Sequence, residues 1–345
     1  MAPAAQFIPE LNMVEPQSEQ GASISGFGGD TVLVTGSSGF IGTHLVDRLV
    51  AGGAAVVGVD RKPPRKVVSG VRYITGDVKD LAAFEMPKIS KIFNFAAIHT
   101  TPGHPDAEYY DTNVNGAIEV ARLAERDGVG QIIFTSSISV YGPSEERKTE
   151  ASRPAPVSAY GKSKLMAEKI HENWLHGDLS RSLIVMRPAV VFGAGEGGNF
   201  ARMAALMKKG FFVFPGRRDT IKSCIYVEDL IDLMFAASKI SERHSLINGS
   251  YVDCPTLEFI VTELQRKFFP KVRLLDVPTG IVMAAAKTLS TLDGFGLGVH
   301  PDRVMKLLRS TYVYPEWSDS HGLANVGGFS VGLDQWADTT DRTFV

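Results

Sequence analysis

The sequence predicts a doubly wound, mostly parallel α/β sheet with a smaller C-terminal lobe. Three observations predict it. An apolar run turns through closely spaced glycines into an amphipathic stretch; a second apolar run ends in an acid; and further apolar runs alternate with helix-period segments. Strands that are apolar almost throughout are buried on both faces, the condition of a parallel sheet covered by helices.

The first run, Thr31-Val32-Leu33-Val34, meets Thr35-Gly36-Ser37-Ser38-Gly39-Phe40-Ile41-Gly42 and then an amphipathic stretch, Ile41 to Val50. Glycines so spaced let the backbone turn tightly, approach a pyrophosphate and pack helix on strand, with the positive helix end toward the phosphates. Gly36, Ser38, Gly39, Phe40, Ile41 and Gly42 are therefore candidate contacts of a dinucleotide in a Rossmann-type site. The next strand, Ala54 to Asp60, ends in a carboxylate that can accept the adenosine ribose hydroxyls, which selects NAD. Arg61 and Lys62 can instead hold a 2′-phosphate, so NADP is the alternative cofactor.

Pro63-Pro64 marks a loop, and a short strand, Val71 to Thr75, leads to Gly76-Asp77-Val78. Asp77 either reads an adenine amino group or caps the following helix. Lys91 to Ala97 is the next strand, and the small Ala96 and Ala97 leave backbone bare for a cofactor lying over it. The loop Ile98 to Pro105 carries His99 and His104 without a third ligand at metal spacing, so no metal is expected. Ala107 to Arg126 reads as a long helix in which Asn113 either bonds backbone or orders the site. Gln131 to Thr135 is a strand running into Ser136-Ser137, hydroxyls at the edge where open α/β sheets bind ligands. Pro143 to Val157 is a polar, proline-broken connection.

Ser158 then opens a helix to about Trp174 in which Tyr160 and Lys164 are four apart, on one face. A free phenol, with a pKa of about 10, is a poor base at neutral pH. Lys164 and a positively charged nicotinamide ring favour the phenolate, and about 4 kcal/mol of differential interaction brings it into the working range. Tyr160 and Lys164 are therefore the chemical centre of the chain.

Bulk composition narrows the rest. At 345 residues the chain allows about two domains. Hydrophobic content of 44% supports an ample core, and a net charge of −2 offers no basic surface for nucleic acid. Cys224 and Cys254 form neither a disulfide framework nor a metal spacing. No apolar run reaches the ~18 residues of a membrane span. Residues 1–29 lack a cationic start and an apolar core, so they are read as a disordered tail rather than a secretory signal, and the location as cytoplasmic.

As a set, these stretches resemble the extended short-chain dehydrogenase/reductase family, in its NAD-dependent nucleotide-sugar epimerase/dehydratase branch. The resemblance rests on Thr35–Gly42, Asp60, Asp77, Asn113-Val114-Asn115-Gly116, Ser137 before Val140-Tyr141-Gly142, Tyr160 with Lys164, Arg187-Pro188, Val191-Phe192-Gly193 and Ile225 to Leu230. It runs from about Thr31 to Leu230. It implies an NAD-binding domain over 30–188 and a mainly substrate-binding lobe over 189–345, with 221–250 free to return to the first. It also implies a homodimer through the helices that hold Asn113 and Tyr160. By the same resemblance Asn199, at the start of a helix read as Ala201 to Lys209, contacts the substrate's diphosphate or sugar. Arg217, Lys222 and Arg303 are further substrate-side candidates, with Arg218 and Lys306 beside them.

Departures from the family pattern select the reaction. Dehydratase members carry Asp-Glu and decarboxylating members carry Glu just before Val-Tyr-Gly, where this chain has Ile138-Ser139. What remains is reversible hydride chemistry: a nucleotide-sugar 4-epimerase acting through a 4-keto sugar. The alternatives are an NAD(P)H-dependent nucleotide-sugar or other carbonyl reductase, a 3-hydroxysteroid-type dehydrogenase, and a non-enzymatic dinucleotide-sensing scaffold. Beyond Ser250 the chain predicts helices at Leu257–Lys267 and Thr279–Leu289 and little function.

Overall fold

The computed structural model describes residues 26–100, 103–281, 284, 308–323 and 327–345. Most of the N-terminal tail, Arg303, Lys306 and most of the helix expected at Thr279–Leu289 lie outside the described residues.

Seven strands form one parallel sheet. They are β1 (Thr31–Thr35), β2 (Ala55–Asp60), β3 (Arg72–Thr75), β4 (Lys91–Asn94), β5 (Gln131–Thr135), β7 (Ser182–Pro188) and β11 (His244–Gly249). Their order is β11-β7-β5-β4-β1-β2-β3, so the chain winds outward from β1 in both directions. The reversal falls between β1 and β4, and the crevice at their carboxyl ends is where such sheets take ligands.

Burial on both faces explains why these strands are apolar. Val32 and Val34 of β1 enter one core with Phe93 and Ile133, against Leu45, Val46 and Leu49 of α1 (Phe40–Ala51) and Leu230, Ile231 and Met234 of α5 (Val227–Ser238). Leu33, Ile92, Ile132 and Phe134 point the other way. They meet Val120 and Leu123 of α2 (Asp106–Asp127) and Ala167, Trp174 and Leu175 of α3 (Ala159–His176). The period-2 alternation of side chains thus divides one apolar run between two cores.

The smaller sheets are two-stranded and parallel. They pair β8 (Val190–Phe192) with β10 (Cys224–Tyr226), β9 (Phe211–Pro215) with β12 (Arg273–Val277), and β6 (Ser144–Lys148) with β13 (Thr311–Val313). Helices α4 (Asn199–Lys208), α6 (Leu257–Phe268), α7 (Glu316–Ser320) and α8 (Phe329–Thr339) complete the described fold.

Two expectations change. Strand β6 lies inside the stretch read as a connection: its sequence, Ser-Glu-Glu-Arg-Lys, is wholly polar and is held by pairing with a partner more than 160 residues away. The N-terminal segment is anchored from Phe27 onward, because that ring is 2% exposed and packs on Phe93 and Phe235 at centroid separations of 6.4 and 4.7 Å.

Candidate active site

The glycine turn closes on itself by contact. Gly36 has φ +73°, and a Cβ there would stand 2.8 Å from Ala96 N. A Cβ on Gly42 would stand 2.2 Å from Gly36 O, so the first turn of α1 rests directly on the β1 turn. Gly39 brings no side chain to cap α1, and the first turn holds no acid. The N–H groups at that end therefore keep their capacity for an anion, as a dinucleotide pyrophosphate requires. Phe40 and Ile41 are partly buried against the core on the α1 face.

Asp60 ends β2 with its carboxylate tied to the turn. Oδ2 accepts from Ser38 N at 3.1 Å, Oδ1 accepts from Lys62 N at 2.9 Å, and Ser38 Oγ donates to Lys62 O. A negative group fixed there suits ribose hydroxyls and repels a 2′-phosphate. Arg61 lies 4.0 Å from Asp77 Oδ2. Asp77 is the cap of the short helical turn after β3, accepting from Lys79 N at 3.0 Å with Oδ1. Val78 is buried against Gly116 of α2, where a Cβ would come within 2.7 Å. Ala96 N donates to Thr35 Oγ1 at 3.3 Å, which holds the β4 exit beside the β1 turn, with Ala97 next in line and partly buried. Asn113 is structural: its amide clamps Ile98 through both N and O and donates to Ser163 Oγ at 2.9 Å, joining the loop after β4 to α3.

Ser137, Tyr160 and Lys164 come together where β5 meets α3. Ser137 caps the turn Ile138–Tyr141, its Oγ accepting from Ser139 N at 3.1 Å, and its side chain faces the Tyr160 phenol. Ser158 caps α3 by accepting from Gly161 N. A Cβ on Gly161 would stand 2.5 Å from Ser139 O, so the missing side chain lets the first turn of α3 touch the Ser137 turn.

The electrostatics differ from the sequence expectation in one respect. Burial raises the Tyr160 phenol above its ordinary value, and the bond from Ser137 is what opposes this. Lys164 Nζ donates to Thr135 O at 2.7 Å and lies over the Phe134 ring at 4.8 Å. Burial brings Lys164 down to about 7, while Glu168 pulls it upward. Burial thus favours the protonated phenol, and a positive charge placed beside it would favour the phenolate.

The substrate-side candidates separate. Asn199 begins α4, but Glu196 has taken the helix N-terminus: Oε2 accepts from Ala201 N at 2.9 Å, and the backbone N–H groups of Gly198, Asn199 and Phe200 face the same carboxylate. An acid three residues upstream of Asn199 thus already supplies the negative charge at this helix end. Arg217 pairs with Asp219 at 2.9 Å and Glu145 at 3.3 Å. Lys222 donates to Arg309 O at 2.5 Å and burial lowers it to about 8, with Glu145 opposing. Arg217 and Lys222 therefore share Glu145, whereas Arg218 turns to Asp276 and Glu258.

Sequence reasoning passed over Glu168, which stands behind Lys164 with Ser136 and Thr135. An acid four residues after Lys164, on the same helix face, was the available signal.

A Ser–Tyr–Lys set at the carboxyl edge of a doubly wound parallel sheet, facing a glycine turn, defines a short-chain dehydrogenase/reductase of the extended kind. Within that class the chain belongs to the NAD dependent epimerase/dehydratase family, whose model matches residues 32–247. NAD is the cofactor that goes with this family, and the cradle and Asp60 fit it. Among curated relatives, the chain is 29% identical over 315 residues to N-acetyl-alpha-D-glucosaminyl-diphospho-ditrans,octacis-undecaprenol 4-epimerase of Escherichia coli O157:H7, covering 89% of this chain and 94% of that protein. It is 31% identical over 282 residues to UDP-glucose 4-epimerase of Vibrio cholerae, covering 72% and 85%. Among solved structures, MoeE5 in complex with UDP-glucuronic acid and NAD superposes with a TM-score of 0.70 at 25% identity, covering 91% of this chain and 99% of that one.

Proposed function

We propose that this protein is an NAD-dependent nucleotide-sugar 4-epimerase. The observation that carries the reading is Ser137 facing the Tyr160 phenol beside a buried Lys164, in a turn that offers Ile138 and Ser139 where eliminating relatives need a carboxylate. The relatives' names support it, since those quoted are sugar 4-epimerases.

Bound NAD supplies reversible hydride acceptance, which lets C4 be oxidised and reduced again with no net change in the cofactor. The chain's own residues manage the proton and the geometry. Tyr160 Oη takes the proton of the 4-hydroxyl and returns it, so one group serves as base and acid. Ser137 would donate to the same oxygen and orient it toward Tyr160. Lys164, in its charged form, favours the phenolate and holds the nicotinamide ribose. Gly36, Ser38, Gly39 and Gly42 line the pyrophosphate, and Asp60 takes the adenosine ribose. Arg217 and Lys222 are the cations proposed for the substrate diphosphate, released from Glu145 when it binds. Residues 30–188 form the NAD-binding part and 189–345 mainly the substrate lobe. A cytoplasmic homodimer through α2 and α3 belongs to the same reading.

A second substrate reading has its own support. The relative whose match spans 89% of this chain is named for a lipid-linked diphospho-sugar, so the diphosphate is the shared recognition element. Purified protein offered UDP-, GDP- and dTDP-sugars and a polyprenyl-diphospho-sugar separates the two: conversion of a nucleotide sugar supports the first, and conversion of the lipid-linked sugar alone replaces it.

A further inference from the structure

Behind the catalytic helix lies a polar group that the proposed chemistry does not use. Glu168 is 1% exposed and Arg187, on β7, is 3% exposed. Arg187 grips Glu168 with two bonds, Nε to Oε1 at 2.9 Å and Nη2 to Oε2 at 2.7 Å. Ser136, next to Ser137, donates to Oε1 at 2.5 Å. The remaining reach of Arg187 goes to the Tyr141 hydroxyl at 3.0 Å, which donates to Asn248 Oδ1 at 2.8 Å. Every polar atom of the carboxylate is therefore occupied, and its position is set by α3, β5 and β7 together.

Glu168 follows Lys164 by one helical turn on the same face of α3. We propose that Glu168, fixed by Arg187 and Ser136, is a positioning residue: it keeps Lys164 charged in its buried place and ties the Ser137 turn to the helix that carries Tyr160. Its part in turnover rests on the reading of Ser137, Tyr160 and Lys164 given above. Its effect on Lys164 does not.

The surroundings of Lys164 favour this assignment. Thr135 O and the Phe134 ring face it from β5, His171 from α3, and His99 from the loop after β4. His171 is held down to about 3 by burial and is neutral, and burial lowers His99 as well. Neither counters a lysine charge. Glu168 is the acid that does, and it pulls Lys164 upward against a burial that otherwise leaves it at about 7. Arg187 offsets part of that charge while fixing its place, so the pair stabilises an ammonium without becoming a second base.

The test compares wild type, Glu168→Gln, Glu168→Asp, and the double variant Glu168→Leu with Arg187→Met, which fills the same space without charge. Full-length protein carrying isotope-labelled lysine is titrated by following the Lys164 Cε resonance, assigned with Lys164→Arg, with and without NAD. The midpoint falls by about one pH unit or more in Glu168→Gln and in the double variant, while Glu168→Asp stays near wild type. The alkaline limb of kcat, set by loss of the Lys164 charge, moves to lower pH in parallel. If Glu168→Gln does not fold, the double variant carries the measurement, because removing both charges leaves neither Arg187 nor Glu168 buried without its ion-pair partner. A double variant whose Lys164 titrates as in wild type overturns the proposal and leaves Glu168 a purely structural residue. Glu168→Asp behaving like Glu168→Gln does the same. Inactivity of wild type toward every sugar tested, with the Lys164 midpoint still displaced in the variants, overturns the epimerase reading alone.

Discussion

Tyr160 and Lys164 both carry a cost of burial, and in the proposed mechanism both costs serve the chemistry. A phenol raised by burial and checked by Ser137 holds its proton until a positive charge arrives beside it. Tyr160→Phe keeps the ring and removes the acid, so kcat should fall by about 10²–10⁴-fold with the fold intact, as read by turnover and circular dichroism. Lys164, brought down to about 7 by burial, makes a stability prediction of definite sign. Below pH 7 it is charged in both states and the folded protein bears the full desolvation penalty. Between pH 7 and about 10.4 the unfolded chain binds the extra proton, so stability rises with pH. Lys164→Met should therefore unfold at a higher temperature than wild type at pH 6, by about 1–4 kcal/mol, and the advantage should shrink toward pH 10. A constant difference across that range would contradict a buried, charge-penalised lysine. Asp60→Ala should weaken NAD by about 10- to 100-fold, the loss of a hydrogen bond to a charged group, and narrow the preference over NADP in direct binding.

At the scale of elements, contact rather than propensity decides the cofactor turn. Gly42→Ala puts a Cβ within 2.2 Å of Gly36 O, so α1 must move off the β1 turn. Its NAD affinity should drop by at least about tenfold, with a loss of stability of about 1–3 kcal/mol, the cost of overpacking. Phe27→Ala should lose about 3–5 kcal/mol in denaturant unfolding, because the ring sits in the core between Phe93 and Phe235. These elements also mark what the sequence makes legible. Strands β1, β4 and β5 are readable because burial on two faces demands an unbroken apolar run. Strand β6 is not, since nothing in Ser-Glu-Glu-Arg-Lys encodes a partner at Thr311. Ser137, Tyr160 and Lys164 are readable from spacing within one helix and one strand end. The clamp of Arg187 on Glu168 is not, because it depends on the fold bringing β7 against α3, although the spacing of Glu168 from Lys164 is there to be read; Glu196 is also legible, as an acid just ahead of a helix start.

In the proposed reading the whole molecule places its chemistry at one reversal of strand order. The crevice between β1 and β4 receives the glycine turn from one half of the sheet, and β5 delivers Ser137 and, through α3, Tyr160 and Lys164 from the other. Arg217 and Lys222, facing Glu145, lie on the segment between β9 and β10, outside the seven-stranded sheet. Such a division suits a substrate whose diphosphate is held on one side while its sugar turns over the cofactor on the other. The measurement closest to the central claim follows one reaction in two ways. Purified protein with NAD and a panel of nucleoside-diphosphate sugars is monitored at once by cofactor absorbance and by chromatography of the sugars. The predicted result is interconversion of a pair of sugars differing at C4 with no net change in NADH, abolished by Tyr160→Phe. Stoichiometric consumption of the cofactor would contradict the epimerase and make the protein a reductase.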